Sequence, residues 1–276
     1  MERRVARPLP PASSGLRFLA GALTGAAGLA LVVLHIFAGY EDVLFDRIVA
    51  AKVESGWTDE KKVAVLTNAA HELVKYRAEI FANLPPSGLR ERWLRSAEVD
   101  LMTGRGACGS FTSVLARLLD RAGIGYRVAQ MYCEASGWGC HIILEANVGG
   151  RWVTADALYD VVFPAGAKEV GRNWEAFRTL TPPGYEQSYR YADIRYTNWT
   201  KVPVLMPAVK SVLDRFAPEF SRTLSIRSYV LNVYRTYEIA LTLLIAGAGL
   251  AALGVSWRRR PKALAQKRPA ELHHGA

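Results

Sequence analysis

Residues 106–125 read GACGSFTSVLARLLDRAGIG and residues 141–160 read HIILEANVGGRWVTADALYD. The first stretch has the pattern of one amphipathic helix and the second that of a hairpin. Phe111, Val114, Leu115, Leu118 and Leu119 fall at helical spacing and make one apolar stripe, while Arg117, Asp120 and Arg121 take the other face. Gly123 and Gly125 stop the helix, which places Cys108 in or just before its first turn. A helix N-terminus carries partial positive charge and unpaired N–H groups, which favour a thiolate and can stabilise an oxyanion. Gly106, Ala107, Gly109 and Ser110 leave room for a substrate backbone to approach the sulfur. The competing reading is an inert buried thiol.

Three strand-like runs follow: Tyr126 to Glu134, His141 to Val148 and Arg151 to Leu158. Gly149-Gly150 is a two-residue hairpin signal, which sets Val148 opposite Arg151 and Ile143 opposite Asp156. Side chains alternate along a strand, so His141, Ile143 and Glu145 share a face with Trp152, Thr154 and Asp156. His141 and Asp156 are then diagonal neighbours, near enough for a carboxylate to orient an imidazole. A slip of one residue would put them on opposite faces.

Upstream, Thr58 followed by Asp59 and Glu60 predicts a helix start. Val63, Leu66, Ala70, Leu73 and Ile80 carry that helix to Leu84, where Pro85-Pro86 ends it. His71 reads as a partly exposed residue of this helix. A second helix is expected from Ser87 to Met102, packing through Leu89, Trp93, Val99 and Leu101 and broken by residues 103–106. Downstream, residues 163–201 read as loop-like and aromatic, either lining a groove or covering the core. Helical patterns resume from Pro203 to Phe216 and from Phe220 to Tyr237.

The net charge of +10 looks like a nucleic-acid signal until it is located. Most of it comes from Arg3, Arg4, Arg7 and Arg17 at one end and from Arg258, Arg259, Arg260, Lys262, Lys267 and Arg268 at the other. Each cluster lies beside an apolar run, Phe18 to Tyr40 and Ile239 to Trp257, long enough to approach or cross a hydrocarbon core of about 30 Å. The flanking arginines place both termini in the cytoplasm. The expected organisation is a basic tail (1–17), a transmembrane helix (18–40), an extracytoplasmic region (41–236), a second transmembrane helix (239–257) and a basic tail (258–276). The lipid bilayer is the implied partner, with nucleic acid excluded.

The order of a helix-start cysteine, a strand histidine and a strand aspartate resembles the transglutaminase-like superfamily of papain-type thiol enzymes. Gly106 and Cys108, Phe111 and Leu115, Gly123-Ile124 ahead of Arg127, His141, and Trp152 with Asp156 carry the resemblance, over about residues 60–165. Departures are Cys140 beside His141 and Ala157 after Asp156, where the family often has other residues. The resemblance implies an α+β fold, a papain-like core of helices packed on an antiparallel sheet, here flanked by two transmembrane helices. It also implies acyl transfer through a thioester, with Cys108 as nucleophile, His141 as acid and base, and Asp156 orienting the ring. Asp160 is the reserve for the third role.

Three cysteines leave one unpaired if a bridge forms, and Cys133 and Cys140 flank a short loop where such a bridge fits. Zinc at Cys133, Cys140 and His141 lacks a fourth ligand at sensible spacing, so no metal and no cofactor is expected. The expectation is a membrane-anchored cysteine enzyme of the inner (cytoplasmic) membrane, peptidase, amidase or acyltransferase, facing the periplasm and acting on peptide or envelope amides. The alternative is an inactive scaffold of the same fold that binds membrane-protein partners.

Overall fold

The computed structural model describes residues 12–81, 84, 85, 88, 91, 92, 94–132, 139–185, 193–199 and 204–257. It divides into two units, one of Ala38–Thr236 and one of Met1–Phe37 with Tyr237–Ala276. Helix α1 spans Ala12–Lys52, well past Tyr40, where the apolar run stops. The residues beyond Tyr40 explain the extension: Phe45 is fully buried, and Glu41, Asp42 and Asp46 face two arginines of the cysteine-bearing helix. Arg117 Nε lies 3.0 Å from Glu41 Oε1 and its guanidinium also pairs with Asp42 and Asp120. Arg121 forks onto both oxygens of Asp46 at 2.6 Å. The polar face read from sequence is therefore an acid-matched docking face for α1, with Arg117 buried at its centre.

Helix α2 (Asp59–Phe81) begins at Thr58, whose Oγ1 accepts from the Lys61 N–H at 3.4 Å. It buries Val63, Leu66, Ala69, Ala70 and Val74. The helix expected over Ser87–Met102 is not continuous. Residues 94–96 are non-helical, and α3 occupies only Ala97–Thr103, with Ser96 extended at its N-cap. Arg95 is held outside the helix by its own side chain, whose Nε donates to Asp100 Oδ1 at 2.8 Å. Leu89 and Trp93 lie outside the described residues. Gly104 ends α3 with φ 61°, and a Cβ there would sit 2.6 Å from the Ala78 nitrogen, so both backbone conformation and space require glycine.

Helix α4 (Cys108–Arg121) buries Phe111, Val114, Leu115, Leu118 and Leu119, the predicted stripe. Five antiparallel strands follow, β1 (Tyr126–Tyr132), β2 (Gly139–Val148), β3 (Arg151–Asp156), β4 (Val161–Phe163) and β5 (Ile194–Arg195), in the order β4-β3-β2-β1-β5. Val148 pairs with Arg151 and Leu144 with Ala155, so the Gly149-Gly150 turn sets the expected register. One sheet face, with Val128, Leu144, Ala146, Val153 and Ala155, forms the main core with α2 and α4. The other carries Ala129, Met131, Ile143 and Phe163 under Tyr185, Ile194 and Tyr196. This is the expected α+β layout of helices on an antiparallel sheet.

Residues 163–201, expected to be loop-like, include short helices α5 (Ala167–Arg172) and α6 (Trp174–Phe177) and the edge strand β5. The helix expected over Phe220–Tyr237 is also interrupted. After α7 (Leu205–Phe216) come α8 (Pro218–Thr223), α9 (Ile226–Val230) and α10 (Val233–Trp257). The break at Ser225 has a cause in the sheet, since its Oγ accepts from the Val128 N–H at 3.1 Å and donates to the Val128 carbonyl at 3.0 Å. Among the described residues one helix, Phe18–Lys52, is long and apolar enough to cross a membrane. The second apolar run lies in α10, whose side chains are described only as far as Ala251.

Candidate active site

Cys108 is the first residue of α4, and Ala107 before it adopts φ 45°, a conformation that costs an L-residue about 1–3 kcal/mol. The turn is held from below by a network the sequence did not reveal. Ser110 Oγ accepts from the Gly106 N–H at 2.7 Å and donates to Asp100 Oδ1 at 2.8 Å. Arg95 Nη2 donates to the same hydroxyl at 3.0 Å. The Arg95 guanidinium lies so close to Gly106 that a Cβ there would be 1.6 Å from Nη2. The space left by the missing side chain of Gly106 is filled by Arg95.

His141 is fully buried near the start of β2, and Asp156 ends β3. The register brings them together: His141 Nε2 lies 2.7 Å from Asp156 Oδ2. Cys108 lies near enough to the same imidazole for each to shift the titration of the other. The Ile142 N–H also donates to the sulfur, and Thr112 Oγ1 donates to the Ile142 carbonyl at 3.1 Å, fastening α4 to β2 beside it.

Burial alone would lower the His141 pKa, but the charge and hydrogen bond of Asp156, aided by Cys108, raise it to about 9. Burial alone would raise the Cys108 pKa. The hydrogen bond and positive charge of His141 and the Ile142 N–H outweigh that and the opposing Asp156 charge, so the thiol ends below its ordinary value. The two shifts are two sides of one tendency, transfer of the thiol proton to the ring, and both favour a thiolate–imidazolium pair. The Cys108 N–H has no hydrogen-bond partner among the described residues, which leaves it available to an oxyanion.

Asp156 is itself positioned. Tyr185 Oη donates to Oδ2 at 2.8 Å and the Leu158 N–H to Oδ1 at 3.1 Å. Tyr185 is buried, stacks on Trp174 at 6.0 Å and meets Tyr159 edge-on at 4.8 Å, while Tyr159 meets His141 at 5.9 Å. Part of the aromatic set read as cover therefore fixes the carboxylate. Its signal was only compositional, because the contact spans a segment without periodicity. Asp160 is elsewhere: it accepts from Asn68 Nδ2 at 2.7 Å. His71 Nδ1 lies 3.0 Å from the Ala157 carbonyl, joining α2 to the chain after β3. Cys133 and the Cys140 side chain lie outside the described residues.

A helix-start thiol, a buried imidazole and a carboxylate thus meet on a helix-and-sheet core. Residues 47–157 match the family model described as transglutaminase-like superfamily. The match contains Cys108, His141 and Asp156 and supports that superfamily for this part of the chain. Neither curated proteins nor solved structures give a match.

Proposed function

We propose that this protein is a membrane-anchored cysteine enzyme that cleaves or transfers amide acyl groups through a Cys108–His141–Asp156 triad. The observation that carries the reading is the buried His141–Asp156 contact at 2.7 Å, with the α4 N-terminal thiol close enough to the same ring to shift its titration. The Cys108 thiolate attacks the amide carbonyl carbon, and the oxyanion forms beside the Cys108 N–H. The His141 imidazolium protonates the departing nitrogen as the C–N bond breaks, leaving a thioester. Water or an amine, deprotonated by His141, then attacks the thioester and releases the thiolate. Water makes a peptidase or amidase; an amine makes a transferase.

The basic flanks and apolar runs support two spans, residues 18–40 and 239–257, with both termini cytoplasmic and the catalytic domain in the periplasm, where peptide or envelope amides are the substrates. A thiol-directed activity probe tests the chemistry: it labels the wild type and not Cys108→Ala. Failure to label the wild type, with function still lost on Cys108→Ala, would favour a scaffold that binds membrane partners. A periplasm-active reporter inserted near residue 160 is expected to be active, and silence there would overturn the topology.

A further inference from the structure

A cavity of about 230 Å³ opens beside Cys108, walled by Gly106 and Gly109 of the nucleophile turn, Ile142, Arg95, Arg227 and the apolar Val230. We propose that it is a subsite for a carboxylate carried by the substrate close to its reacting carbonyl, and that Arg227 is the residue that holds it. This rests on the reading of Cys108 as nucleophile.

The cavity's charges are not equivalent. Asp100 lines it too, but its Oδ1 is engaged by Arg95 at 2.8 Å and Ser110 at 2.8 Å. That arginine and that carboxylate answer each other and serve the turn. Arg227 is different. It is half-buried in α9, and its guanidinium makes no ion pair or hydrogen bond among the described residues. A cation partly withdrawn from water gains from an arriving carboxylate, which can meet it through two parallel N–H···O bonds.

Its position is also fixed. Ser225, two residues before it, is bonded to both backbone groups of Val128, and the Ile226 N–H donates to Thr197 Oγ1 at 3.1 Å. Arg227 is thus carried by a segment pinned to the sheet, and its charge and that of Cys108 act on each other. A second cavity, of about 310 Å³, begins on the other side of Arg227 and is lined by Gln130, Asn198 and Met206. An extended substrate has a path onward from the arginine. The predicted class is an amide whose acyl or amine residue bears a carboxylate, a C-terminal carboxyl or an acidic side chain, rather than a neutral chain.

Two small alkylating agents test this without knowing the substrate. Iodoacetate and iodoacetamide react alike: the Cys108 thiolate displaces iodide from carbon, an S–C bond forms and iodide leaves with its electron pair. They differ in one carboxylate. The full-length chain in detergent is alkylated with each, and modification at Cys108 is followed by peptide mass spectrometry. Arg227→Gln is expected to lower the ratio of iodoacetate to iodoacetamide rates by about tenfold, the scale of one charge-assisted pair. Arg227→Lys, which keeps the charge and the fold, is expected to lie between, and added salt should reduce the wild-type ratio. A ratio unchanged in Arg227→Gln, with Cys108 still alkylated, overturns the subsite and leaves the nucleophile standing. Cys108 inert to both reagents in the wild type overturns both.

Discussion

Replacing Asp156 by asparagine keeps the size of the side chain but removes the charge that holds His141 protonated. In the buried site burial disfavours the cation, and Asp156, with help from Cys108, overcomes burial and brings the pKa to about 9. Without the carboxylate charge, burial acts against only the smaller help of Cys108, and the ring falls back toward its ordinary 6.5. At about 1.4 kcal/mol for each pH unit, the gap between 6.5 and about 9 is worth about 3.5 kcal/mol of imidazolium stabilisation. The thiolate depends on the imidazolium, because His141 is the main favourable influence on the sulfur. The direct effect of Asp156 on Cys108 has the opposite sign but is the smaller.

Asp156→Asn should therefore return the thiol toward the ordinary cysteine range and slow alkylation of Cys108 by iodoacetamide at pH 6 about a hundredfold. The assay is alkylation rate against pH, with circular dichroism to verify the fold. In the wild type, amide turnover should rise as pH climbs through the lowered thiol pKa and fall as it passes about 9, where the acid that protonates the leaving group is lost. An Asp156→Asn alkylation profile within threefold of wild type at pH 6 would refute the ion-pair reasoning.

Tyr185→Phe removes one hydrogen bond to the Asp156 carboxylate and should lower kcat about tenfold, the scale of one bond to a charged group. KM should hold, and the alkaline limb should move to lower pH as Asp156 turns from the ring; a purely structural role would leave that limb in place. Gly106→Ala drives a methyl into Arg95 and should displace the Ser110 network, cutting Cys108 alkylation more than tenfold, since a misplacement of about 1 Å costs on the order of a hundredfold. Circular dichroism should show the helices intact, and unchanged alkylation would mean that Arg95 does not support the turn.

What was legible in the sequence is local or follows from a turn. The α4 stripe is written in residues a few positions apart, and the Gly149-Gly150 turn carries the register that brings His141 to Asp156, because alternation along two paired strands leaves no freedom once the turn is placed. What was hidden depends on contacts between distant residues. Glu41, Asp42 and Asp46 lie past the apolar run, and only the docking of α1 on Arg117 and Arg121 shows why the helix continues. Arg95, Asp100 and Ser110 meet because the chain leaves helical geometry at residues 94–96, where hydrophobic spacing predicted a continuous helix. Tyr185 sits in a segment with no period to read, and Arg227 in one whose spacing predicted a continuous helix that the structure breaks at Ser225, so neither could be placed against the site from sequence alone.

The double bond between Ser225 and Val128 has a consequence for assembly. Among the described residues, strand β5 pairs with β1 at Gln130 and Met131. At Val128 an amide and a carbonyl on the exposed side would otherwise be open to any passing strand, as at every unprotected sheet border. One hydroxyl, delivered from almost a hundred residues downstream, closes that border where a strand would have to start pairing. A chain cut short before Ser225 would keep Cys108, His141 and Asp156 yet present an adhesive margin, so solubility and self-association belong to the C-terminal third as much as chemistry belongs to the middle.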